Sequence, residues 1–111
     1  LKKSAIKKVY DIEILEHETY PYKPDTVRYE THIFVLKSPL VCNVNFEEGT
    51  YFITNAELDI IVWGNSRDEV EQAFCFSFYS LYKNYSEELE NNLSEKAIEL
   101  RNKLNSLIKS H

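Results

Sequence analysis

The side chains best equipped for proton transfer, nucleophilic attack or metal ligation are three histidines and two cysteines in a chain of 111 residues. His17 stands beside a proline-containing segment, His32 falls on the polar register of a strand pattern, and His111 is the last residue. A histidine paired with a carboxylate can act as acid and base, but no serine or cysteine lies in a recognisable nucleophile turn. Cys42 and Cys75 are far apart and form no close doublet of the kind zinc sites and redox motifs use, so both read as small buried hydrophobes. His32 with Cys42 and Cys75 is the one conceivable ligand trio, and it rests on residue type alone. Two glycines are too few for a backbone cradle around phosphate. The expectation is a chain with no catalytic residue, metal or cofactor.

The carboxylates form runs: Glu47-Glu48, Asp68-Glu69-Glu71 and Glu87-Glu88-Glu90. Acidic groups near helix N-termini and in solvated turns explain most of them. Their functional reading is the docking of a basic surface. Net charge is −5, the wrong sign for neutralising phosphates, and no basic residues interleave with aromatics as an RNA platform requires. Direct nucleic-acid binding is therefore not expected, whereas a basic protein partner matches the charge. The basic N-terminus lacks the apolar core of a signal peptide and no run approaches a membrane span, so a cytoplasmic protein without membrane contact is expected.

Positioning these groups falls to a strand-rich first half and a helical second half, which predicts a single α+β domain over residues 1–111. Apolar fraction is 43%, enough for one core without disulfide staples. Period-two alternation marks strands at Val9–Leu15, Val27–Leu36 and Leu40–Phe46. The prolines of residues 19–26 place a loop between the first two, and Ser38-Pro39 breaks the chain before the third. Glu47-Glu48-Gly49-Thr50 is turn chemistry leading into Tyr51-Phe52-Ile53. Leu58–Trp63 is β-branched and apolar, the composition of a central or well-covered strand, preceded by a bulge or kink at residues 55–57. An antiparallel sheet of four to five strands follows, with one or two helices on one face. Trp63 and the tyrosines fit buried anchors and interface hot spots alike.

Ser66 and Glu69 form a capping box that starts a helix after the Gly64-Asn65 corner. Its apolar positions Val70, Ala73, Phe74, Phe78, Leu81 and Tyr85 share a face, and Cys75, Phe76, Tyr79 and Tyr82 widen it beyond what one sheet needs. This predicts contact with a second element or a second chain. A C-terminal helix is expected over 86–109, with Asn91-Asn92 marking a break. Leu93, Ala97, Leu100, Leu104 and Leu107 step by four and three, a coiled-coil-like seam. The seam serves either packing on the helix's own domain or a homo-oligomer interface.

Residues 44–82 contain an acidic turn with Gly49, the pair Glu57-Leu58, a strand ending at Gly64, and a helix opened by Ser66 and Glu69. This order resembles the HicB-like antitoxin domain of type II toxin–antitoxin systems. The resemblance covers about a third of the chain. It implies a β-rich domain with a helix on one face that binds and blocks a small basic toxin, typically an mRNA-cleaving ribonuclease of the double-stranded-RNA-binding fold. Two positions depart from the pattern: Ala56 replaces the expected proline, and a leucine-seamed helix stands where the family usually has a DNA-binding module. On this reading Glu47, Glu48, Glu57 and Asp59 face the partner. The alternative is a structural or oligomeric accessory protein of the same fold with no toxin, in which the leucine seam is the main interface.

Overall fold

The computed structural model describes residues 20–86 and 93–111; the strand expected at Val9–Leu15 lies outside them. The protein is α+β. Six strands are present among the described residues: β1 (Thr26–Tyr29), β2 (His32–Leu36), β3 (Asn43–Glu47), β4 (Thr50–Asn55), β5 (Ile60–Gly64) and β6 (Ile108–Ser110). Two helices, α1 (Arg67–Leu81) and α2 (Glu95–Leu107), flank a π-helical turn at Tyr82–Ser86.

The single sheet expected from sequence is instead two antiparallel three-stranded sheets, ordered β1-β2-β6 and β3-β4-β5. Prolines explain the division. The segment before β1 runs beside the segment before β3 in a register that bonds Cys42 to Tyr22 and Leu40 to Pro24, but Pro24 has no N–H to return, and Pro21 and Pro39 restrict the backbone on either side, so the ladder stops. What survives is an isolated Tyr22–Cys42 bridge and a bond from the Leu40 N–H to the Pro24 carbonyl of 2.9 Å.

The stretch read as one strand over Val27–Leu36 is a hairpin, with Tyr29 paired to His32 across Glu30-Thr31. Glu30 takes a left-handed φ of 54°, a conformation that carries no sequence signature in glutamate. The β3–β4 hairpin closes as its turn chemistry predicts, with Glu48 and Gly49 at φ 52° and 82°, the paired positive dihedrals of a type I′ turn. The C-terminal helix expected to reach residue 109 ends at Leu107. Ile108–Ser110 turns into β6 and pairs with β2 across a register shift.

Helix α1 starts at the Ser66 cap, where the Ser66 hydroxyl accepts the Glu69 N–H at 3.1 Å. The Glu69 carboxylate accepts from Asn65 N–H, one residue earlier than the reciprocal box places it, at 2.6 Å. Val70, Phe74 and Phe78 are fully buried. The wide apolar stripe of α1 meets both sheets. Tyr22 packs edge-on against Phe74, Phe34 against Phe78 and Tyr82, and Tyr29 against Phe76 and Tyr79. The second element implied by the excess width is therefore the β1-β2-β6 sheet. The core gathers these rings with Val27, Leu40, Ile53, Leu58 and Leu104, each at most 1% exposed.

Candidate functional site

Alternation along β3, β4 and β5 divides their residues between two faces. Val44, Tyr51, Ile53, Ile60 and Val62 point into the core. The pairing Asn45–Phe52–Trp63 and Asn43–Thr54–Ile61 then sets those residues in two rows on the opposite face. On this face Trp63 is 66% exposed, Ile61 62%, and Val41, just before β3, 68%. Phe52, half-buried in the middle strand, joins them. Trp63 and Ile61 stand in water beside Phe52, while Val41 lies farther along the lead into β3 with Asn43 and Thr54 between; exposed apolar surface of this kind is what binding sites are made of. The sequence reading of Leu58–Trp63 as a covered strand is corrected here: β5 is an edge strand with one wet face, because α1 covers the other and no further strand is hydrogen-bonded beyond it among the described residues.

The stretch of sequence that builds this face is polar but not basic. Asn43, Asn45, Thr50 and Thr54 share it, and between Lys37 and Arg67 the sequence holds four acids and no lysine, arginine or histidine. Glu47 lies on the same face at the end of β3, and Glu48 is exposed in the adjoining turn, two pairs along from the Phe52–Trp63 pair. Glu57 and Asp59 are exposed at the other end of the sheet.

The turn carrying Glu57 and Asp59 is held by Asn55, which is 1% exposed. Its carbonyl oxygen accepts the Leu58 N–H at 2.8 Å, and its amide donates to the Val41 carbonyl at 3.2 Å while touching the Cys42 sulfur at 3.7 Å. One buried amide thus fixes the lead into β3, the end of β4 and the approach to β5. Asp59 takes a φ of 57° where the chain reverses.

The four carboxylates do not form one cluster. Glu57 and Asp59 border an open cleft of about 560 Å³ shared with Ala97, Leu100, Lys96, Glu99 and Lys103 of α2, where acids and lysines mix. Glu47 and Glu48 stay with the apolar face. The seam residues are also divided. Leu104 is fully buried, and Leu100 and Leu107 pack against the core; Ala97 lines the cleft, and Leu93 is half-buried ahead of the Ser94 cap. The helix is further fastened by a bond from the Lys37 N–H to the Leu107 carbonyl at 2.9 Å.

The chemically reactive side chains have separate neighbourhoods. His32 stacks on Tyr79 with ring centroids 4.7 Å apart, and His111 sits 3.0 Å from the Tyr82 hydroxyl. His17 lies outside the described residues. Cys42 is buried, and burial pushes its thiol up, partly offset by Asn55. Cys75 is half-buried, 3.9 Å from the Tyr22 hydroxyl; burial, then Cys75, pushes the Tyr22 phenol up. The Tyr20 hydroxyl is enclosed without a partner at hydrogen-bonding geometry, and burial with the nearby Glu71 pushes it up as well. Among the described residues no three histidine, cysteine, aspartate or glutamate side chains form a set able to hold a metal, and no helix is long and apolar enough to cross a membrane.

The exposed face was missed in sequence because Val41, Ile61 and Trp63 are indistinguishable by type from core residues. The signal that was available is the absence of lysine, arginine and histidine from residue 38 to residue 66. Comparison with protein-family models, curated proteins and solved structures yields no match.

Proposed function

We propose that this chain is a non-catalytic protein-binding domain that docks a basic partner on the open face of β3-β4-β5. The observation carrying this reading is Trp63, Ile61 and Val41 standing in water on a face that has Glu47 and Glu48 at its end and no basic residue in the surrounding sequence. Exposed tryptophan is the side chain most often found as an interface anchor. An aromatic sheet face serves single-stranded nucleic acid when cations track the backbone; this one offers only carboxylates. Following the resemblance to HicB-like antitoxins, the partner is a small basic ribonuclease toxin whose activity the chain blocks, with Glu47 and Glu48 meeting its cations and Trp63 filling an apolar pocket.

The test mixes this chain with the small basic protein encoded by the adjoining reading frame and measures affinity, salt dependence and RNA cleavage. Binding that inhibits cleavage, weakens with salt, and falls at least tenfold for Trp63→Ala and for Glu47→Lys with Glu48→Lys is expected. Absence of such a neighbour, or inhibition unaffected by those variants, rules the reading out. The second reading, an oligomeric accessory protein without a toxin, draws its support from the edge of β5, to which no further strand is hydrogen-bonded among the described residues, and predicts self-association with no basic partner.

A further inference from the structure

The outer edges of the two sheets are not protected alike. Edge β6 is three residues long, carries Lys109 and meets β2 across a register shift, three devices that discourage further pairing. Edge β1 carries Arg28, and the segments leading into β1 and β3 meet at the Tyr22–Cys42 bridge. Edge β5 has none of these. Ile60-Ile61-Val62-Trp63-Gly64 holds no charge and no proline, and its five pairs with β4 run without a bulge. A straight, apolar, uncharged edge is a template for another strand.

We infer that β5 pairs with β5 of a second copy, antiparallel about a two-fold axis at Val62, joining two three-stranded sheets into one of six strands. A strand that pairs with itself must be complementary to its own reversed sequence, and β5 is. Centred on Val62, Ile61 of each copy lies across from Trp63 of the other on the open face, an aliphatic–aromatic cross-strand pair. At the ends Asp59 comes opposite Asn65, so no like charges meet. The neighbouring register centred between Ile61 and Val62 would place Asp59 across from Gly64 and Trp63 across from Ile60, sending facing side chains to opposite faces of the sheet. A second copy is favoured over a dimer through the leucine seam because Leu104 is already buried at 0% exposure, and a seam dimer would have to pull it out of the core. The proposal deepens the second reading, self-association; it uses the backbone edge of β5 whereas partner docking uses the open face, and because both involve Ile61 and Trp63 its test is made on the chain alone.

Pairing two five-residue edges buries less than the roughly 1,200–2,000 Å² of a stable interface, so the dimer forms in the range of tens to hundreds of micromolar. Sedimentation equilibrium of the full chain from ~10 μM to ~1 mM is expected to show a monomer–dimer equilibrium. Ile61→Lys, at an exposed position, is expected to raise the dissociation constant at least tenfold with circular dichroism unchanged, because it sets a charge into the edge. Independently, chains carrying Ile61→Cys are mixed with chains carrying Trp63→Cys and oxidised; disulfides between positions 61 and 63 should exceed 61–61 and 63–63 products. A wild-type chain monomeric throughout the range overturns the proposal. So does a dimer that Ile61→Lys leaves intact, or a random distribution of disulfides.

Discussion

Replacing Asn55 by alanine tests whether one buried amide holds the open face of β3-β4-β5 in register. The native side chain is 1% exposed and Leu58 is fully buried, so water does not reach the Leu58 N–H it leaves behind. Two hydrogen bonds are lost, from the Leu58 N–H at 2.8 Å and to the Val41 carbonyl at 3.2 Å. At a net ~1 kcal/mol each, plus ~1 kcal/mol or more for stranding the Leu58 N–H, the expected loss is about 3 kcal/mol. Against a total stability of roughly 5–15 kcal/mol, that is a large fraction. Urea unfolding followed by circular dichroism should show a lowered midpoint with an unchanged slope.

Asn55→Asp sharpens the test. A carboxylate cannot donate to the Val41 carbonyl, and burial raises its folded-state pKa above the ordinary value of ~3.9. A protonated carboxyl restores both a donor and an acceptor. The sign follows: the deficit is smallest below the ordinary carboxylate value, and it grows as pH rises from there through the raised folded-state value. Stability of this variant relative to wild type should therefore improve on going from pH 7 to pH 4. Alanine within ~1 kcal/mol of wild type, or an aspartate deficit that ignores pH, would refute the role given to Asn55.

Gly64→Ala should destabilise by ~2–3 kcal/mol in thermal melts, since an added Cβ would stand 2.7 Å from the Val70 nitrogen and 3.1 Å from the Glu69 carbonyl carbon, backbone atoms that move only if α1 withdraws from β5. Glu48→Asn should stabilise by ~0.5–1 kcal/mol, because Glu48 sits at φ 52°, where asparagine is better tolerated; the urea midpoint reads it. Stability should fall as pH climbs above 10.0, the ordinary phenol value, because the Tyr20 and Tyr22 phenols are raised in the folded state and the unfolded chain ionises first; Tyr22→Phe should lessen that alkaline loss. Trp63→Ala should shift stability by no more than ~0.5 kcal/mol, its side chain being 66% exposed, which separates an effect on partner binding from an effect on folding.

Local patterns carried much of the fold. Alternation located the strand segments, Gly49 marked the β3–β4 turn, and Ser66 with Glu69 marked the start of α1. Two reversals escaped because Glu30 and Asp59 adopt left-handed dihedrals that neither residue type announces. The division of the sheet was legible only in part. Pro21, Pro24 and Pro39 were read as local breakers, but their joint effect depends on two segments lying side by side, which no local window contains. Strand β6 is three residues long and continues directly from a helix, so the apolar repeat ran through it. Of the candidate site, Glu47 and Glu48 were found through their turn, whereas the exposure of Trp63 depends on which strand ends the sheet.

The open face gains its meaning from what the rest of the chain consumes. Helix α1 presents more apolar width than one sheet needs, and the rings of Tyr22, Tyr29 and Phe34 take up much of it, leaving Phe76 half exposed. Helix α2 presents a leucine seam, and Leu104 with its neighbours returns to the core. Among the described residues, no element packs on the apolar surface at the far side of β3-β4-β5. It is also selective: Asn43, Asn45, Thr50 and Thr54 show that polar residues fit this face, yet Val41, Phe52, Ile61 and Trp63 share it. Scattered exposed hydrophobics need no explanation. Apolar side chains placed among tolerated polar neighbours, at an edge to which no further described strand is hydrogen-bonded and within a stretch free of cations, are the observations on which the proposed docking rests.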